Sequence, residues 1–325
     1  ITPASDILHA LSRYKNHDIT TVQAEDEIAS IGIAIGASFG GSLGITGTSG
    51  PGLALKGEAL GLALVLELPL VLINVQRGGP STGLPTKTEQ SDLMQAMYGR
   101  NGDAPLPIIA ASTPGDCFEV AYEACRIAVK YMTPVLLLSD GYLANGSEPW
   151  LIPDPDSLRD FDVKFATKPN HEEDGVSEFW PYLRDEGTLA RPWAIPGTAG
   201  LEHRIGGLEK EDGSGNVSYE AENHERMTWL RAEKVQRIQQ EIPPMEIFGD
   251  ADADLVIVGW GSTRGAIEAG VTRALNEGHR VASIHLRFIN PLPPDLGEVL
   301  SRFSTYLVPE LNNGQLVKIL RSEFL

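Results

Sequence analysis

Two stretches, "LVLIN" at 70–74 and "VLLLS" at 135–139, are apolar at all but their last position, and helix-period segments bracket each. A strand that is apolar on both faces needs cover on both. In a water-soluble chain that means helices above and below a parallel sheet. The same alternation runs through residues 1–150 and predicts an α/β fold. Strands are expected at 19–22, 42–46, 70–75, 107–111 and 134–139. Helices are expected at 4–14, 25–38, 51–66, 88–98 and 115–131, with Ser49, Thr86 and Thr113 as start signals.

Residues 151–245 change character. Prolines, acids and aromatics crowd "LIPDPDSLRDFD" and "HEEDGVSEFWPYLRDE", and the polar "EKEDGSGNVSYEAENHER" follows. This reads as a loop-rich excursion ending in a charged helix near 227–240. A structureless connection of that length is unusual in a compact domain, so it is expected to pack over the first domain or a partner. A strand at 254–259, a helix at 262–277 and a strand at 280–286 then form a second, smaller α/β unit. The expected domains are 1–245 and 246–325.

Composition narrows the partners. Forty-four acids against 26 bases give a net charge of −18, which disfavours nucleic acid and anionic membrane. The most apolar stretch, 59–75, is interrupted by Glu67 and Pro69 and reads as helix then strand, not as a membrane span. Two cysteines, Cys117 and Cys125, share one helix pattern with Ala121, Ala124 and Ala128 and read as core. They exclude a self-contained four-cysteine metal or iron–sulfur site, and a cytoplasmic setting is expected. The chain opens Ile-Thr-Pro and breaks off in "ILRSEFL", so a longer polypeptide is expected behind it.

Three motifs bear on chemistry. Gly79-Pro80-Ser81-Thr82-Gly83 fits G-x-S-x-G, but Pro85 follows too soon for the helix that a nucleophile elbow requires. The glycine-rich "GITGTSGPGLAL" at 44–55 lacks both the dinucleotide spacing and the P-loop lysine. It reads as a tight strand-to-helix turn, placed where Gly47, Thr48 and Ser49 would meet an anionic cofactor. In 22–38 three acids open an apolar helix. Helical spacing puts Ile28, Ile31, Ile35 and Phe39 on one face and leaves Glu25 and Glu27 at its edges, both open as a partly buried carboxylate.

"ITPAS", "EDEIASIGIAIGAS", "GTSGPGL", "QRGGPSTGLPTKTEQSD", "RFINPLPP" and "VPELNNGQL" stand in the order in which they occur in 2-oxoacid:ferredoxin oxidoreductases. Over nearly its whole length the chain resembles the α subunit of the 2-oxoglutarate type. The resemblance implies a thiamine diphosphate pyrimidine-binding domain followed by a smaller domain like the transketolase C-terminal one. It implies that Glu27, nine residues before the "GA" of its helix, meets the pyrimidine N1′.

By the same resemblance, Thr2 binds substrate near the reacting carbon and Arg77 pairs with the substrate carboxylate. Ser81, Thr82 and Lys87 are candidates for the second carboxylate. The reaction implied is oxidative decarboxylation of 2-oxoglutarate, with coenzyme A taking the acyl group and ferredoxin the electrons. A branched-chain 2-oxoacid, or a non-catalytic role shaping another chain's site, is the alternative. The chain lacks G-D-G followed by asparagine and any cysteine cluster. The resemblance implies that Mg2+ and the [4Fe-4S] cluster belong to a β subunit, in an α2β2 heterotetramer.

Overall fold

A computed structural model describes residues 2–324. The first part runs α1 (Ser5–Leu11), α2 (Glu27–Phe39), β1 (Gly44–Thr48), α3 (Gly50–Leu55), α4 (Gly57–Leu66), β2 (Leu70–Gln76), α5 (Leu93–Tyr98), β3 (Ile108–Ala110), α6 (Asp116–Tyr131), β4 (Pro134–Asp140) and α7 (Gly141–Asn145). The excursion contributes a hairpin, β5 (His171–Glu173) and β6 (Val176–Glu178), and then α8 (Ala221–Arg237). The last part comprises β7 (Ile247–Gly249), β8 (Leu255–Trp260), α9 (Arg264–Asn276), β9 (Ala282–Leu286), β10 (Phe288–Asn290), α10 (Leu296–Ser301), β11 (Thr305–Leu307) and α11 (Gln315–Phe324).

The larger sheet has the order β1-β2-β4-β3-β10, parallel except where β10 meets β3. Its central strands are the two apolar stretches, and every residue of β4 is buried. The smaller sheet, β11-β8-β9-β7, is antiparallel only at β7. This is the expected α/β architecture of helices on parallel sheets. Among the described residues no helix is long and apolar enough to cross a membrane.

Helix α2 starts where Asp26 accepts the Ala29 N–H at 2.7 Å and so caps the first turn. It buries Ile31, Ala34, Ile35 and Ser38, while Ile28 is 55 % exposed; the packed stripe is rotated from the expected one. The cause lies at Gly44. A Cβ there would stand 2.2 Å from the Ala34 carbonyl, so α2 presses its Ala34 side onto β1.

Other expectations shift as well. Residues 19–22 find no ladder partner, and Ile19 and Val22 face outward. The helix expected over 51–66 is two, broken at Lys56. The one expected from residue 88 starts only at Leu93, because the segment before it is spent on a polar loop.

The excursion packs on the first domain through a buried charge knot. Glu67, at the end of α4, pairs with Arg184 and with Lys234 of α8, all three nearly inaccessible. Burial alone would raise the Glu67 carboxyl, but Lys234 and Arg184 outweigh it and bring it down to about 2. Tyr182 donates to the Val65 carbonyl at 3.3 Å, and the Arg191 and Lys210 charges stand over its ring at 5.3 and 5.5 Å. A long segment without much regular structure is thus tied down by side chains.

Candidate active site

In open α/β sheets, ligands bind beyond the carboxyl ends of the strands. Here Thr48 ends β1 directly opposite Asn74 of β2, and the chain leaves β1 through Ser49, which precedes α3. On one side of this turn is α2, on the other the loop after β2. Together they hold most of the residues that the sequence singled out.

Glu27 opens α2 and is half-buried, whereas Glu25 and Asp26 are exposed, so burial separates the two acids that periodicity left equal. Among the described residues no hydrogen bond engages its carboxylate; only its main-chain carbonyl is bonded. A Cβ on Gly52 would stand 1.9 Å from Thr48 Oγ1 and 2.7 Å from Glu27 Cγ. Glycine is what allows α3 to pass so close behind the carboxylate.

Arg77, just past β2, is 5 % exposed, and its Nη1 donates to the Thr2 carbonyl at 2.6 Å. The fold therefore brings Thr2 and Arg77 together, through main chain on the Thr2 side. Asp92 lies nearby: it accepts from Asn74 Nδ2 at 2.9 Å, and its main-chain N–H donates to Gln76 at 3.1 Å. Burial raises the Asp92 carboxyl above its usual range, with Glu89 adding to the shift and Asn74 and Arg77 opposing it.

Loop 77–92 closes on itself. Leu84 N–H donates to the Gly78 carbonyl at 2.8 Å, and Gly78 N–H to that of Lys87 at 2.9 Å. Ser81, Thr82 and Lys87 are all exposed on it, and the next helix waits until Leu93, so Ser81 stands at no elbow. The base of the loop is clasped by the second α/β unit. Asn312 donates to the Gln90 carbonyl at 2.8 Å and Gln315 to that of Ser91 at 2.7 Å. Gln90 also reaches Asp140 at 3.2 Å, and Asp140 accepts from Ser262. "QSD" and "VPELNNGQL" are therefore one contact.

Sequence reasoning missed this clasp, along with Asp92 and Lys56. Lys56 had a signal: it is the lone charge in "GPGLALKG". It is fully buried, donating to the Glu27 carbonyl at 2.8 Å, to Thr46 Oγ1 at 3.2 Å and to Ser30. Burial lowers its ammonium to about 8, against the pull of Glu27 and Asp26.

The arrangement fits an anionic, nitrogen-bearing cofactor. Ser49 Oγ, Asn74 Oδ1 and Arg77 Nε are buried without a partner among the described residues. Such groups cost about 1–3 kcal/mol each when left unpaired, and these three cluster at the ends of β1 and β2. A cleft of about 300 Å³ elsewhere, lined by Ser112, Met245, Arg264, His285 and Arg287, includes none of these residues.

Comparison with known proteins gives the family. The family described as pyruvate flavodoxin/ferredoxin oxidoreductase, thiamine diphosphate-binding, matches residues 1–223. The 2-oxoglutarate oxidoreductase subunit KorA of Mycobacterium tuberculosis is 56 % identical over 326 residues, covering 100 % of this chain and 48 % of that protein. The 2-oxoglutarate synthase subunit KorA of Methanothermobacter marburgensis is 32 % identical over 318 residues, covering 97 % of this chain and 82 % of that one.

Among solved structures, the 2-oxoglutarate:ferredoxin oxidoreductase of Magnetococcus marinus, with 2-oxoglutarate, coenzyme A and succinyl-CoA bound, superposes with a TM-score of 0.90 at 36 % identity. It covers 99 % of this chain and 56 % of that one. A split-gene transketolase, at TM-score 0.51 and 10 % identity over 97 % of this chain and 74 % of its own, shares the fold alone. The chain spans about half the length of the mycobacterial relative.

Proposed function

Because the chain belongs to the pyruvate flavodoxin/ferredoxin oxidoreductase thiamine diphosphate-binding family, we propose that it supplies the α-type half of a 2-oxoglutarate:ferredoxin oxidoreductase. The reaction is the coenzyme A-linked conversion of 2-oxoglutarate to succinyl-CoA, releasing carbon dioxide and passing two electrons to ferredoxin. The chain's two domains are 1–245 and 246–325, with β10 of the second added to the edge of the first one's sheet. The observation that carries the reading is the buried Arg77 bonded to Thr2 at the carboxyl end of the sheet, across the β1–α3 turn from Glu27.

Bound thiamine diphosphate would supply a carbon nucleophile and an electron sink. Glu27 would hold the pyrimidine N1′ and exchange a proton there, its carboxylate being free of other bonds. Gly47, Thr48 and Ser49 would line the cofactor from the turn itself. Arg77 offers a guanidinium fork to the carboxylate beside the ketone, and Thr2 stands next to it. Ser81, Thr82 and Lys87, exposed on a closed loop, are positioned to read the distal carboxylate.

The site is half of one. Ile28, next to Glu27 in the chain, and Ile33 further along lie on the outward face of α2, 55 % and 45 % exposed, which supports a partner closing over this helix. We assign Mg2+ and the [4Fe-4S] cluster to that β subunit, in an α2β2 assembly in the cytoplasm. The test is a screen of 2-oxoacids on the purified complex with coenzyme A and a viologen dye. Turnover of 2-oxoglutarate above branched-chain and monocarboxylic acids supports the reading; preference for a branched-chain acid overturns the substrate, and no turnover of any 2-oxoacid overturns the activity.

A further inference from the structure

Lys56 stands in a place that electrostatics disfavours. It joins α3 to α4 with its side chain inaccessible, and its nitrogen lies against the first turn of α2, the positive end of that helix dipole. Among the described residues it forms no ion pair: its acceptors are the Glu27 carbonyl, the Ser30 hydroxyl and the Thr46 hydroxyl. Three ammonium protons thus meet three oxygens, and the group is fully satisfied without a carboxylate. The charges that face it are Glu27 and Asp26, both at the start of α2.

An apolar side chain would fill a core position at lower desolvation cost, so the lysine calls for another reason. The bonds themselves suggest it. Ser30 Oγ donates to the same Glu27 carbonyl at 2.9 Å and lies 3.4 Å from Thr46 Oγ1. Lys56, Ser30 and Thr46 therefore tie the residue that carries the Glu27 carboxylate to strand β1 and to the α3–α4 junction. Gly52, three residues into α3, is the point where that same helix grazes Glu27 Cγ. The two faces of Glu27, backbone and side chain, are set by one short segment, 52–56.

We propose that Lys56 is a positioning residue for Glu27, fixing from behind the turn that presents this carboxylate to the cofactor. This rests on the reading of Glu27 as the N1′ partner. The experiment uses the assembled complex and compares Lys56→Met, an unbranched apolar side chain one atom shorter and without a donor, with Lys56→Gln, of similar length to Met but with an N–H donor. Thiamine diphosphate affinity is measured by titration of protein fluorescence in the cofactor-depleted complex, alongside kcat and KM.

Lys56→Met is expected to weaken thiamine diphosphate at least tenfold and to lower kcat, with KM for the 2-oxoacid within twofold of the parent. Lys56→Gln should recover part of both losses. Should Lys56→Met not fold, Thr46→Val and Ser30→Ala leave the lysine in place and are expected to show smaller losses of the same kind. Wild-type affinity and kcat in Lys56→Met, or in both milder variants if it fails to fold, would overturn the proposal, as would a loss of thermal stability alone. Glu27→Gln serves as control: if it too binds and turns over normally, the reading of Glu27 fails first.

Discussion

The guanidinium of Arg77 donates to the main-chain carbonyl of Thr2 at 2.6 Å, joining residues 75 positions apart at the carboxyl end of the sheet. Arg77 is almost wholly buried, and its Nε has no partner among the described residues. One nitrogen thus anchors the side chain while another is left for a ligand. A lysine carries all its donors on one nitrogen and has no planar fork, so it cannot hold the Thr2 carbonyl with one nitrogen and present another to a carboxylate. Arg77→Lys is expected to lower kcat/KM for 2-oxoglutarate about ten- to hundredfold, the value of one charge-assisted hydrogen bond. Steady-state kinetics of the complex check this, and an unchanged kcat/KM would remove Arg77 from the substrate.

Gly52 gives a second prediction. Alanine there would place Cβ 1.9 Å from Thr48 Oγ1 and 2.7 Å from Glu27 Cγ, so the carboxylate must move. Displacement on the order of 1 Å at a catalytic group costs about a hundredfold. Gly52→Ala should therefore lower kcat by roughly that factor, and its overlap with the fully buried Thr48 should also cost about 1–3 kcal/mol of stability. Normal turnover would show that Glu27 tolerates displacement.

Lys87 tests the distal carboxylate. It is exposed on the closed loop, where its charge is screened until substrate and partner exclude water. Lys87→Ala is expected to reduce the preference for 2-oxoglutarate over a monocarboxylic 2-oxoacid by about tenfold, through KM. The ratio of the two kcat/KM values measures it, and an unaltered ratio would rule the lysine out.

The knot at Glu67 predicts an acid response. Its folded carboxyl lies near 2, below the ordinary 4.5. A depressed acid contributes stability that is complete above the unfolded value and is lost as pH falls from about 4.5 to 2. Glu67→Gln leaves Lys234 buried without a carboxylate and Arg184 with Asp212 alone, and should cost about 3–5 kcal/mol at neutral pH. Denaturant unfolding of the two proteins from pH 7 to 3 checks both claims, since the gap between them should narrow toward the acid end. A constant gap would place the stabilisation elsewhere.

The apolar runs "LVLIN" and "VLLLS" were legible as buried parallel strands because burial on both faces leaves no polar alternation. Residues 19–22 misled for the opposite reason: β-branched residues mark a strand only where a neighbour offers a ladder, and here none does. Of the site, Glu27 and Arg77 were visible through motif and resemblance. The rotation of α2 was not, because it follows from the contact of Gly44 with Ala34, which periodicity cannot contain. Lys56 and the clasp of Asn312 on Gln90 were hidden for the same cause, since partners 26 or 222 residues distant leave no local pattern.

The most direct measurement is hydrogen–deuterium exchange at C2 of thiamine diphosphate bound to the assembled complex, comparing wild type with Glu27→Gln at matched cofactor occupancy. Glutamine keeps the shape of the side chain and removes the proton exchange at N1′. Exchange should fall by about a hundred- to ten-thousandfold, and decarboxylation with it. Exchange at the wild-type rate would contradict the assignment of Glu27 and, with it, the placing of the reaction at this end of the sheet.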